Sequence, residues 1–360
     1  MAEPGEPVLW SLYVYAPNKA APLFFAIAYG LSAIFHIWQC YRYKAWHLIG
    51  LHPFCAVLFT AGYALRGYQA QDNYLFLLYT KEPLIIFILS QVFIYICPPL
   101  LELANYHILG RLFYYAPHCA PLPANRVLAT FGGLMALVEA LNAVGVALAA
   151  NPSGQPVTQS LGKNLTIAAI AIQVIVIVIF VCLAGLFHAR FKFKFFAGGS
   201  GDRSNANSKT SVVRTLLFAL YASMALIFAR CVFRLVEHTG HTKLDLNDLD
   251  VQRGLSPLLR YEAYFLVFES SLMLVNSWLW NVWHPGRFLP RDIHVFLGED
   301  GVEVEGDRHE DSRPLLAKTA HVLTFGILFR DKSRGRAHQY RGMQHEMSDC
   351  APATASGQSA

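Results

Sequence analysis

Seven stretches of this 360-residue chain stay apolar for about twenty residues each: 20–41, 46–66, 83–106, 127–149, 165–187, 213–237 and 262–283. A helix rises about 1.5 Å per residue, so such a run matches the ~30 Å hydrocarbon core of a bilayer. Backbone amides in lipid have no water to bond, and only helices or closed barrels satisfy them all. The runs are about twice the length of a barrel strand. The expected fold is therefore all-α, a polytopic membrane bundle of seven transmembrane helices. Composition agrees, with 54% hydrophobic and 15% charged residues, against about 25% charged in soluble domains. The first run does not read as a cleavable leader, because Glu3 and Glu6 flank it with only Lys19, and no small-residue cleavage site follows.

Lys and Arg set the orientation. One set of loops carries Arg42, Lys44, Arg111, Arg126, Arg190, Lys192, Lys194, Arg203, Lys209 and Arg214, and the C-terminal segment adds more. The alternate set carries Lys19, Arg66, Lys81, Lys163, Lys243, Arg253 and Arg260. The richer set faces the cytoplasm, which puts the N-terminus outside and the C-terminus inside. The alternating bases and aromatics of RFKFKFF, 190–196, suit an anionic inner leaflet.

Two regions are expected: a seven-helix transmembrane domain over 1–285 and a disordered cytoplasmic tail over 286–360, where charge, Ser, Gly and His accumulate. Within the first, GGSGDRSNANSK, 198–209, reads as a flexible loop, and the prolines of CPPLL predict a kink in the third span. Asn164-Leu-Thr166 is a glycosylation sequon abutting the fifth span. In the tail, Asp311 to Leu316 has the form of an acidic dileucine signal, a pattern short enough to arise by chance, and HVLTFGILF, 321–329, is too short to span. The seven cysteines have neither zinc-finger nor redox-motif spacing and read as small apolar fillers. No exposed basic helix or basic-aromatic patch suggests nucleic acid. DLNDLD, 245–250, lacks the glycine and terminal Glu of a calcium loop.

An ionisable side chain at the centre of a span costs on the order of 3 kcal/mol to insert, so such groups face the bundle interior. The first five spans hold His36, His52, Gln91, Glu102, Glu139, Asn142 and Gln173, the expected polar lining. The last two hold Arg230, Arg234, Glu237, Glu262 and Glu269. Positions 230, 234 and 237 share one helical face, and so do 262 and 269 if the helix is regular. Each set covers seven residues, about 10.5 Å of rise. Antiparallel neighbours would then place Arg230 opposite Glu269 and Arg234 between the two carboxylates. Such a ladder serves either as a bolt that fixes register or as a substrate-binding site.

These residues resemble a known family. Arg230-x-x-Phe233-Arg234-x-x-Glu237-x-x-x-Gly240, then Glu262 with YFLVFE, then His284-Pro285-Gly286, are similar to the end of the fungal lipid-translocating exporters, also called aminocholesterol-resistance-like proteins. YAPNKAAPLFFAIAYGLSAIFH, GYALR, PPLLELANYHILGR and Gln173 extend the likeness over residues 13 to 290. The resemblance implies seven spans, the plasma membrane, and export of sphingoid long-chain bases or resistance to toxic amphiphiles. The chain departs from that pattern in its fourth span, where the Asp position falls near Met135 and Asn142 stands for Gln, while Glu139 supplies an acid one turn away. In the seventh span Glu269 stands where the family usually has Asp.

Translocation of an amphiphilic lipid is the expected function, with membrane lipids and amphiphilic small molecules as partners, no cofactor, no metal and no enzymatic step. No nucleotide-binding glycine loop is present. Two alternatives stand beside it. A seven-span lipid-sensing receptor shares the topology but lacks the Asp-Arg-Tyr and Asn-Pro-x-x-Tyr signatures of G-protein-coupled receptors. An intramembrane metal-dependent lipid hydrolase would need His36, His52 and His284 to converge with an acid on a metal.

Overall fold

The computed structural model describes residues 6–71, 75, 82–149, 156–197, 203–240, 249–290, 292, 295–298 and 303–305. The dileucine pattern, the 321–329 run, Cys350 and most of DLNDLD lie outside the described residues. The chain is an all-α polytopic membrane protein. Its long helices are α1 (Ala20–Tyr43), α3 (Leu51–Gln69), α4 (Glu82–Tyr115), α5 (Ala124–Ala149), α6 (Pro156–Ala197) and α7 (Arg203–Thr239). Short helices α2 (Trp46–Ile49), α8 (Leu249–Arg253) and α9 (Pro257–Arg260) connect them. The last rod, 262–282, is composite: α10 (Glu262–Phe265), a π-helical turn (Leu266–Ser271) and α11 (Leu272–Val282). Five helices, α1, α4, α5, α6 and α7, contain segments long and apolar enough to cross a bilayer by length and composition.

Polarity is inverted relative to a soluble protein. Leu23, Phe24, Ile27, Ile34 and Trp38 of α1 are exposed, while Ser32, His36 and Gln39 of the same helix are buried. An apolar exterior needs no burial in lipid, and the polar stripe must find partners inside. It finds them on 262–282. Ser32 Oγ and Ser277 Oγ are 2.7 Å apart, Gln39 Nε2 donates to the Asn281 carbonyl at 2.8 Å, and Asn281 Nδ2 donates to Ser32 Oγ at 2.6 Å. Tyr29 and Tyr63 stack with ring centres 5.4 Å apart, and both hydroxyls reach Ser270.

Three expectations change. Of the loop expected over 198–209, residues 203–209 are the first turns of α7, and 198–202 lie outside the described residues. The second span is displaced to Leu51–Gln69, because Gly50 and Pro53 start the helix later, with His52 in its first turn. Ordered chain also continues past the boundary placed at 285. Pro285–Arg287 form a 3-10 turn, and β1 (Val295–Leu297) pairs antiparallel with β2 (Glu303–Glu305). That hairpin is tied to α4, where Arg111 Nη2 donates to the Asp292 carbonyl at 2.9 Å and Tyr115 donates to Glu303 at 2.8 Å. Pro98 and Pro99 lie inside α4, which runs through them as a single helix.

Helices α5 and α6 touch backbone to backbone. A Cβ at Gly162 would stand 2.5 Å from the Ala149 nitrogen and 2.6 Å from the Gly145 oxygen. A Cβ at Gly145 would stand 2.5 Å from Thr166 Oγ1. Small residues are what permit so close an approach in a membrane. Gly185, on the same α6, has nothing within 4 Å of its missing Cβ. The Gly162→Ala variant should therefore lose about 1–3 kcal/mol, because backbone cannot move aside. Gly185→Ala should be neutral or gain up to about 1 kcal/mol from helix propensity. Thermal unfolding of the two variants in the same detergent separates them.

Candidate functional site

The face that the sequence assigns to α7 exists. Arg230 Nε donates to Glu269 Oε1 at 2.5 Å, joining α7 to the π turn of the last rod. Both groups are buried, Arg230 at 6% exposure and Glu269 at 0%. Breaking one partner of such a pair costs about 3–5 kcal/mol, because it strands the other charge. Glu269 Oε2 is buried with no hydrogen-bond partner among the described residues. One turn further, Arg234 Nη1 pairs with Glu237 Oε2 of its own helix at 2.6 Å, and its guanidinium lies 4.5 Å from the centre of the Tyr95 ring on α4.

Glu262 does not join this ladder. An α-helix turns about 100° per residue, so seven residues bring a side chain back within about 20° of the same face. The π turn between Glu262 and Glu269 bonds i to i+5. It widens the turn and carries Glu269 off the face that it would share with Glu262 in a regular helix. Ser271 Oγ follows the same register, donating to the Leu266 carbonyl at 2.8 Å. Glu262 instead faces Arg66 of α3, with Nη2 and Oε1 2.9 Å apart, while its Oε2 accepts the Asn18 N–H at 2.7 Å. Arg234 therefore does not stand between Glu262 and Glu269.

Arg66 is the residue that sequence reasoning missed. It sits at the end of GYALR, where it was counted only as a loop charge, yet it is 1% exposed. Its guanidinium lies between two rings, 4.5 Å from the centre of Tyr13 and 4.4 Å from Phe265, and Nη2 donates to the Tyr15 hydroxyl at 2.9 Å. Tyr13 donates to Gln69 Oε1 at 2.5 Å. Burial pushes the Tyr13 phenol up to about 12, against the pull of Arg66, so it remains a neutral donor. The signal was available: a Tyr-x-Tyr pair ahead of the first span and an acid opening the last are what a planar cation with five donors accepts.

The remaining polar lining forms smaller groups. Glu102, 1% exposed on α4, accepts from Gln173 Nε2 of α6 at 2.8 Å and from the Tyr106 hydroxyl. Glu139, half-buried on α5, accepts from Asn142 one turn along the same helix. Arg230 acts electrostatically on Glu102, Glu139 and Glu237 as well as Glu269. Gln91 is half-buried, with an oxygen that has no partner among the described residues. His36 and His52 stack at 5.6 Å, His36 Nε2 lies 3.1 Å from the Ser277 carbonyl, and His52 packs on Trp280. His284 accepts the Gly286 N–H at 3.2 Å and packs against Tyr43. No group of three or more His, Cys, Asp or Glu among the described residues is placed to hold a metal ion.

A sequence model of the family described as RTA1 like protein matches residues 54–292. A relative from Leptosphaeria maculans, named lipid-translocating exporter-like protein RTA1, is 55% identical over 90% of this chain and 61% of its own length. One of the same name from Ajellomyces capsulatus is 32% identical over 69% of this chain and 75% of its own. The probable lipid transporter atnI of Emericella nidulans is 27% identical over 78% of this chain and 68% of its own. The chain thus spans about 61% of the length of the first relative. No solved structure matches.

The Arg66 contacts make a prediction about the N-terminal segment. Arg66→Lys keeps the charge but loses the planar stacking between two rings, a loss of about 2 kcal/mol for a desolvated cation–π site. Limited proteolysis should then cut within 6–18 at concentrations that leave the parent chain intact. Glu262→Gln strands the buried Arg66 charge and weakens the acceptor of the Asn18 N–H, so it should expose the same segment at least as readily.

Proposed function

This chain belongs to the RTA1-like family, and we propose on that premise that it translocates amphiphilic lipids, with a cationic-headed lipid such as a sphingoid base or aminosterol as substrate. The relatives' names support lipid transport. The observation that carries the choice of substrate class is the excess of acid around Arg230. Glu102, Glu139, Glu237 and Glu269 gather about the two guanidiniums Arg230 and Arg234, and Glu269 Oε2 has no partner among the described residues. An amine brings the donors that this oxygen lacks, while its apolar body stays against the exposed apolar helix faces. In this proposal Glu139, half-buried on α5, meets the head before the fully buried Glu269 does. No enzymatic step is part of this reading.

The topology goes with it. All seven rods cross the bilayer in this proposal, since α3 at nineteen residues and the composite rod over 262–282 would each reach about 30 Å at 1.5 Å per residue. The N-terminus lies outside and the C-terminus in the cytoplasm, supported by the distribution of Lys and Arg. Residues 1–285 form the transporting domain, the sequence from 286 onward, which includes the β1–β2 pair, belongs to a cytoplasmic tail, and the site of action is the plasma membrane.

Flux of a labelled sphingoid base in proteoliposomes tests the reading. Glu269→Gln and Arg230→Gln should each insert and lose at least tenfold in flux, and the double variant, which leaves no stranded charge, should fold like the parent but stay inactive. Parental flux from the double variant would mean that the pair is a bolt between helices and the substrate site lies elsewhere.

A further inference from the structure

Away from the charged cluster, the last turns of α6 and the adjoining turns of α7 enclose a cavity of about 250 Å³. It is lined by His188, Phe191 and Lys192 from one helix and Arg214, Leu217 and Phe218 from the other. Positions 188 and 192, and 214 and 218, are each four apart, so each pair shares a helical face. The floor is apolar and fixed, with Phe191 at 2% and Leu217 at 0% exposure. His188 is held by its neighbours, stacking on Tyr221 at 6.1 Å and meeting the Phe218 ring edge-on at 6.0 Å. Lys192 and Arg214 both act electrostatically on His188, and neither makes an ion pair among the described residues. No carboxylate lines the cavity among the described residues.

Two cations and an imidazole converge over an apolar floor, a set of donors that an anion can join. The cavity stands where the apolar segments Val157–Lys194 and Thr210–Thr239 begin and end, which is the depth of lipid headgroups. Its volume falls below the ~300–1,000 Å³ of pockets that enclose a whole drug-sized ligand. It therefore admits a headgroup while the acyl chains stay outside, beside the exposed Phe218 and Phe193. A phosphodiester brings one negative charge, whereas a phosphomonoester brings about 1.5 to 2 and three acceptor oxygens. An arginine fork takes two of those oxygens together.

We propose that this cavity binds the phosphomonoester headgroup of a membrane lipid, with Arg214 and Lys192 on the phosphate and His188 closing its side. The site is distinct from the transport cluster, since Arg230 lies sixteen residues further along α7, about 24 Å at helical rise. It does not depend on the substrate proposed above.

Binding of tail-labelled lipids to the full chain in detergent micelles, read by fluorescence anisotropy, tests it. Phosphatidic acid should bind at least tenfold tighter than phosphatidylserine. The Lys192→Gln, Arg214→Gln double variant should abolish that preference. The Arg42→Gln, Arg190→Gln variant removes two charges from the same end of the bundle and should keep it. Both cavity residues are exposed, so folding should survive. If the double variant does not purify, Arg214→Gln alone should lose at least threefold, while Arg214→Lys retains part of it. Equal binding of the two lipids by the parent chain, or equal loss in both double variants, overturns the proposal in favour of diffuse surface charge. Glycerol 3-phosphate should compete at least a hundredfold more weakly than phosphatidic acid, and competition at equal concentration overturns the assignment to a lipid.

Discussion

A guanidinium and a carboxylate have been taken out of water together, and the bundle is arranged around the fact that neither can be left alone. Arg230 and Glu269 fix α7 and the last rod at one relative depth. Desolvating each ion costs several kcal/mol, which close approach offsets only when the geometry holds. The surrounding residues keep that geometry. Tyr29 and Tyr63, from α1 and α3, both bond Ser270, the residue after Glu269. Below them Ser223 Oγ of α7 takes hydrogen bonds from Asn105 of α4 and from Trp280. The rod over 262–282 is thus tied by polar contacts to α1, α3 and α7, and its π turn sits at the level where those contacts converge.

How much of this can be read from residues alone follows from period and length. Long apolar runs specify helices without knowledge of their neighbours, and the extents of α1 and α5 follow closely from them, whereas α4 continues to Tyr115, well past the run that ends at 106. The ends of α6 and α7 do not, because polar and charged residues extend a helix beyond the apolar run that announces it. The pairing of Arg230 with Glu269 was legible because two antiparallel rods put residues of equal depth together. The placement of Glu262 was not, because the reading assumed a regular helix and a π turn leaves no mark in the spacing of apolar residues. Arg66 was hidden differently: a charge at the edge of an apolar run looks like a boundary, and only the tertiary arrangement brings two aromatic faces over it. The β1–β2 pair, three residues per strand, is too short to carry a periodic signal at all.

Two polar regions result, and they differ in kind. Around Arg66 every partner is committed to the N-terminal segment or to the start of the last rod, with Glu262 bonded through both oxygens. One buried atom there, Arg66 Nε, has no hydrogen-bond partner among the described residues. Around Arg230 the acids exceed the bases, and one carboxylate oxygen is unpartnered among the described residues. What separates the two regions is charge balance: one base meets one acid at Arg66, whereas the acids outnumber the bases around Arg230.

The glycine contact between α5 and α6 bears on how such a bundle moves. Helices separated by side chains slide by repacking rotamers, as cogs with compliant teeth do. Where Gly145 and Gly162 bring main chain against main chain there are no teeth, and sliding by even one residue would drive a Cβ into peptide atoms. The pair therefore travels as one beam. Any opening of the interior has to be hinged along the seams where long side chains intervene, and the one that α7 shares with the last rod is such a seam.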